Sequence, residues 1–222
     1  MAGNSRFSST NGLKLFRLIV DGGGEICRKH LRTFYLENSL LKSDLSNRRQ
    51  LLATLLSKKV IFADQWQLLF PPSGLEPDIE TFDITLLITL LRNICNLTPP
   101  CQGWKTDPSP SDKSTAANLL RIKNHRNNIA HIANTRSVSS DEFETLWNEI
   151  SNVFMELGMD ISEINRLKDA PLDKESCEKL QHMVENVLAR LKEVAELVEK
   201  ANENSQEILE LVKNDKKVQN SN

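Results

Sequence analysis

Aromatic residues are scarce in this 222-residue chain: eight Phe, three Trp and a single Tyr. Few rings are therefore on hand to stack on unpaired bases. No stretch reaches the roughly 18 apolar residues that a membrane span requires. The longest candidate, FDITLLITLLRNICNL, is interrupted by Asp83, Arg92 and several Thr and Asn. The opening MAGNSRFSSTNG has no apolar core of a secretory signal, and residues 1–10 read as a disordered lead-in. These absences point to the cytosol or nucleus, with the cytoplasm as the expected location and no membrane partner.

No Cys-x-x-Cys spacing occurs among Cys27, Cys95, Cys101 and Cys177. In an intracellular chain such scattered cysteines are expected to be reduced and mostly buried. A zinc site needs a closer set of Cys and His, so neither metal nor cofactor is expected. Gly22-Gly23-Gly24 has no preceding strand and no following Lys-Ser/Thr, which excludes a phosphate-cradling loop. Three glycines in a row instead predict a flexible or tightly turned junction after the helix LKLFRLIVD.

What the chain does have is helical periodicity, with no convincing strand and no internal repeat. Helices are expected over Glu25 to Leu36, from Ser46 with Leu51, Leu52, Leu55 and Leu56 as its stripe, and within ADQWQLLF before Pro71-Pro72. Thr81 to Asn96 is apolar almost all the way round, the mark of a helix in the middle of a bundle. After a proline-containing loop, Asp112 or Ser114 offers an N-cap for a helix that turns Leu119, Ile122, Ile129 and Ala133 inward. Arg126 falls in the gap of that inward series. SSDEFETLWNEISNVFMELG is the clearest helix, with Ser139 and Glu142 as a capping box and Gly158 as its stop. Its core stripe is Phe143, Leu146, Trp147, Ile150, Val153 and Phe154. Antiparallel packing buries such stripes, so the fold class is all-α, a helical bundle over residues 11–172.

Residues 173–213 differ in character. Leu180, Val184, Val187, Leu191, Val194, Val198 and Ala201 alternate in steps of four and three, and the series continues through Ser205, Ile208 and Val212. This is a heptad seam, read as a coiled coil or as a long amphipathic helix folded back on the bundle. Residues 214–222 read as a disordered tail, and an open-ended helix so near the end suggests the front piece of a longer protein.

The net charge of −2 hides an uneven distribution. From Lys113 to Ser140 there are five Lys or Arg and no acid. Such a stretch attracts phosphates, or is a solvated face balancing an acidic neighbour. Within it, RIKNHRNNIAHIANTR carries two of the four histidines. Histidine exchanges protons near neutral pH and arginine offers a fixed fork for phosphate oxygens. Together they can cleave RNA without metal, the base activating a ribose 2′-OH while the guanidinium stabilises the charge on phosphate. Five residues apart on an ideal helix, however, Arg126 and His131 differ by about 140° and roughly 7.5 Å of rise.

RNNIAH matches the Arg-polar-x3-His signature of the HEPN superfamily, with Asn127 in the polar slot. The surrounding FDITLLITLLRNICNLTPP, GW, SDKSTAANLLRIKNHRNNIAHIANT and EFETLWNEISNVFMELG resemble the HEPN branch named for the DAZ-interacting zinc-finger ubiquitin ligase. The resemblance covers Asn11 to Leu172, with its motif core from Phe82 to Gly158. It implies a helical bundle and, as in many members, a metal-independent endoribonuclease with a composite cleft between two protomers. His131 would then be the general acid/base, Arg126 the phosphate holder and Asn127 the positioner. Arg121, Lys123, His125 and Asn128 would contact single-stranded RNA, and the dimer would form through the bundle and the 180–212 seam. The alternative is a non-catalytic oligomerisation or interaction module, RNA-binding or not, in an innate-immune or ubiquitin-ligase-like protein.

Overall fold

The computed structural model describes the backbone of residues 3–219 apart from 37, 73 and 136, and the side chains of 10–206 apart from 37–39, 73 and 136. The fold is all-α, with no strand among the described residues. Helix α1 (Gly3–Arg17) begins inside the segment read as a lead-in, whose first nine side chains lie outside the described residues. A π-helical segment, Leu18–Gly23, joins α1 to α2 (Gly24–Phe34) without a break.

This corrects the expected junction at the three glycines. Both Gly22 and Gly23 are buried, with the backbone helical throughout. A Cβ on Gly22 would stand 2.7 Å from Phe154, and one on Gly23 would stand 2.9 Å from Ile84. The glycines let two neighbouring helices approach the backbone. Packing against those neighbours outweighs the roughly 1 kcal/mol per residue that glycine costs a helix.

Helix α3 (Asn38–Asn47) was not legible in the sequence; α4 (Arg49–Ser57) and α5 (Ala63–Leu69) follow. Of the stripe expected on α4, Leu52 is buried, Leu55 and Leu56 are half-buried, and Leu51 is exposed. Helix α6 (Ile84–Ile94) is buried along most of its length, with Thr85 and Asn93 half-buried and Arg92 exposed. Asp83 caps it, accepting the Leu86 N–H at 2.8 Å. Helix α7 (Thr115–Thr135) is capped by Ser114, whose hydroxyl accepts from Ala117 at 3.2 Å.

Helix α8 (Ser140–Glu156) is capped by Ser139, which accepts from Glu142 at 3.2 Å, and stops at Gly158 with φ +85°. Arg17 ties α1 to the end of α9 (Ile161–Asp169), donating to the carbonyls of Leu167, Ala170 and Pro171 at 2.6–3.0 Å. These C-terminal carbonyls have no intrahelical partner, and the guanidinium fork satisfies them.

Helix α7 lies at the centre, packed by α1, α6, α8 and α10 (Lys174–Gln219). On α10 the seam divides. Leu180 and Val184 are buried in the bundle core, and Val187, Leu191 and Val194 are half-buried on the same side. From 195 to 206 every side chain is exposed. Ile208, Val212 and the 214–222 segment lie beyond the described side chains, although the α10 backbone continues to Gln219. The first half of the seam is therefore occupied by this chain's own bundle.

Candidate functional site: the Arg126 cavity

Helix α7 distributes its polar residues along three stripes, since residues three or four apart share a face. Arg121 and His125 form one stripe, Lys123, Arg126 and Asn127 a second, and Asn124, Asn128 and His131 a third that adjoins the second, because Asn127 and His131 are four residues apart. The sequence-predicted site residues therefore do not share one surface.

The second stripe faces inward. Arg126 is only 6% exposed. Its guanidinium donates to the Thr85 hydroxyl on α6, and its Nε and Nη2 donate to Asn127 Oδ1 at 3.0 and 2.6 Å. Helix α10 covers it. Arg126, Lys123, Thr85, Arg92, Val187 and Leu191 line a cavity of about 260 Å³ between α6, α7 and α10. Burial draws the Arg126 guanidinium down to about 10; Asp83 opposes that shift and Arg190 adds to it. Lys123 is lowered by burial and by the charges of Arg92 and Arg126.

Arg190 clamps the α10 cover. It pairs with Asp64 at 2.5 Å and with Asp83 at 3.2 Å, and stacks over Phe62 at 4.7 Å. Asp83 thus caps α6 and also receives α10, while the fully buried Gln65 donates to it at 2.8 and 3.1 Å.

The other stripes lie elsewhere. Arg121 is consumed by the loop before α7, donating to the carbonyls of Ser109 and Asp112 and to Asn118 at 2.5–2.8 Å. His125 is half-buried beside Glu149, Glu156 and Arg121, and burial lowers its pKa. Carboxylates on that side disfavour a nucleic-acid backbone. Asn128 and His131 are exposed, and the His131 carbonyl accepts from Thr135 at 2.8 Å. Lys123 is the one proposed RNA contact that joins Arg126 in the cavity.

Thr85, Thr89, Arg92 and Arg190 are cavity residues that sequence reasoning missed. A signal existed for three of them. Thr85, Ile88, Thr89 and Arg92 make one stripe of α6, polar in three positions on a helix whose only other polar residue is Asn93, also in the cavity wall. Of the cysteines, Cys27 and Cys95 are buried, and burial pushes each thiol up to about 12. Cys177 is half-buried and Cys101 exposed, so burial is less general than expected. Among the described residues no group of three or more His, Cys, Asp or Glu is placed to hold a metal, and no helix is long and apolar enough to cross a membrane.

The fold is an all-α bundle, consistent with a HEPN-type domain. The family model described as DZIP3/hRUL138-like HEPN matches residues 38–180, and the chain belongs to that family. It is similar to the E3 ubiquitin-protein ligase DZIP3 of Homo sapiens, 29% identical over 108 residues, and to that of Mus musculus, 28% identical over 108 residues. Each match covers 49% of this chain and 9% of the relative. No solved structure matches it significantly.

Proposed function

We propose that this chain is a non-catalytic HEPN-type association module. The observation that carries this is the separation of the two motif residues. Arg126 is turned into the cavity under α10, while His131, one turn beyond Asn127, stands in solvent about 140° round the helix from the arginine. A general base and a phosphate holder must reach the same phosphodiester, and here a packed helix lies between solvent and the arginine. The exposed 195–206 stretch of α10, with Leu197 and Val198 at 41% and 55% exposure, continues the seam away from the bundle and suits pairing with a second copy. A segment equivalent to 9% of a ubiquitin ligase fits an accessory role of this kind.

The second reading is the dimeric metal-independent endoribonuclease. The Arg126–Asn127 hydrogen bonds favour it, because they give the polar residue a positioning role, as does the open His131, which another protomer can reach. In that reading α10 must leave Arg126 before RNA enters.

The test is cleavage of a mixed-sequence fluorescent single-stranded RNA in EDTA by wild type, His131→Ala and Arg126→Ala, with folding and sedimentation checked for each. The module reading expects self-association without cleavage, and loss of self-association in Val198→Glu. Cleavage by wild type that both motif substitutions abolish overturns it in favour of the nuclease.

A further inference from the structure

Six cationic side chains line the cavity beneath α10: Lys58, Lys59, Arg92, Lys123, Arg126 and Arg190, with no carboxylate among its lining residues. Two are neutralised from outside the cavity wall. Lys59 pairs with Glu193 at 2.9 Å, and Arg190 with Asp64 and Asp83. Lys58, Arg92, Lys123 and Arg126 form no ion pair among the described residues, and of the last three only Arg126 feels a carboxylate, that of Asp83. Arg92 lies 5.0 Å over Trp104, which orients it without cancelling its charge. The rest of the wall is largely apolar, formed by Phe62, Ile88, Val187, Leu191 and Val194. Lys123 and Arg126 lose hydration through burial, and with the exposed Arg92 beside them the cations repel one another. The lowering of Lys123 by its two neighbours is the same repulsion seen from one group. An anion entering the cavity relieves it.

We propose that this cavity binds a free small phosphomonoester carried on a compact apolar body. The phosphate sits among Arg92, Lys123 and Arg126, and the body packs against Phe62, Ile88 and Leu191. Size supports the class. A cavity of about 150 Å³ is enough for one benzene ring, so about 260 Å³ admits a single ring with its phosphate. Charge supports it too, since a phosphomonoester near neutral pH carries close to two negative charges against three cations. A ligand that spans α6, α7 and α10 also fastens α10 to the bundle, whether or not the chain ever cleaves RNA.

The probes are phenyl phosphate, inorganic phosphate and phenol, titrated calorimetrically into the full chain. The expectation is one phenyl phosphate per chain, bound roughly tenfold or more tighter than either half, because both parts of the wall contribute. Lys123→Gln and Arg92→Gln each weaken phenyl phosphate by about tenfold, the loss expected of one charge-assisted hydrogen bond. Arg121→Gln, on another stripe, leaves it unchanged. A measurement needing no variant accompanies these: phenyl phosphate slows amide exchange at 187–194 in wild type. No binding at millimolar phenyl phosphate, equal binding of inorganic phosphate, insensitivity to both substitutions, or protection confined to other helices each overturns the assignment.

Discussion

Replacing Arg126 with Met tests what the buried guanidinium does for the fold. Its pKa falls from 12.5 to about 10, chiefly through burial. At about 1.4 kcal/mol per pH unit, holding the charge there costs roughly 3 kcal/mol. Its hydrogen bonds to Thr85 and Asn127 return a similar sum, about 1.5 kcal/mol for each partner. The two contributions nearly cancel. Met keeps most of the aliphatic volume, and Thr85 and Asn127 are half-buried, so water can replace the lost donor. Urea unfolding of Arg126→Met should therefore give a stability within about 1 kcal/mol of wild type, at an unchanged m-value. Arg126→Ala should lose more, about 2 kcal/mol, because it also empties packed volume. A loss above roughly 3 kcal/mol in the Met variant would refute the reasoning, for it would make Arg126 a keystone whose charge the fold requires.

Three further outcomes follow from the packing and the titrating groups. Gly22→Ala places a Cβ 2.7 Å from Phe154, itself fully buried, and should destabilise by about 1–2 kcal/mol despite alanine's better helix propensity; a gain in thermal stability would contradict the close approach. Burial depresses the pKa of His30 and His125, so the folded state favours their neutral forms. The unfolded chain binds more protons in that interval, so stability should fall as pH drops from the ordinary histidine value of about 6.5 toward the lowered ones. His125→Gln should flatten part of that slope in pH-dependent urea unfolding, and an unaltered slope would exclude His125. Arg190→Met removes contacts to Asp64, Asp83 and Phe62. These are partly exposed and together worth about 1 kcal/mol, so amide exchange at 187–194 should quicken roughly fivefold; unchanged rates would mean that Arg190 does not hold α10.

Helices α6 and α8 were legible because their signals are local. A nearly all-round apolar run marks a largely buried helix, although α7 takes the centre, and Ser139 and Gly158 bracket the α8 stripe. Arg126 falls at the gap of an inward series, and the fold buries it there, a burial not read from the sequence at that position. The glycine run was misread because its meaning lies in Phe154, Leu167 and Ile84, far along the chain. Helix α3 escaped notice because NSLLKSDLSN has too few apolar positions for a stripe. The cavity was invisible for a related reason. Its cations come from the α4 end, α6, α7 and α10, and the heptad pattern of α10 does not say whether its partner is another chain or its own bundle.

Helix α10 covers Arg126 within its own chain while His131 stays open. Solvent exchange of the Arg126 Nε–H, assigned by its loss in Arg126→Met and followed by NMR in the full chain, tests this most directly. Held 3.0 Å from Asn127 Oδ1 in a 6% exposed side chain, that proton should exchange orders of magnitude more slowly than those of exposed arginines such as Arg49. Exchange as fast as that of Arg49 would contradict the account, because it would place Arg126 in solvent beside His131.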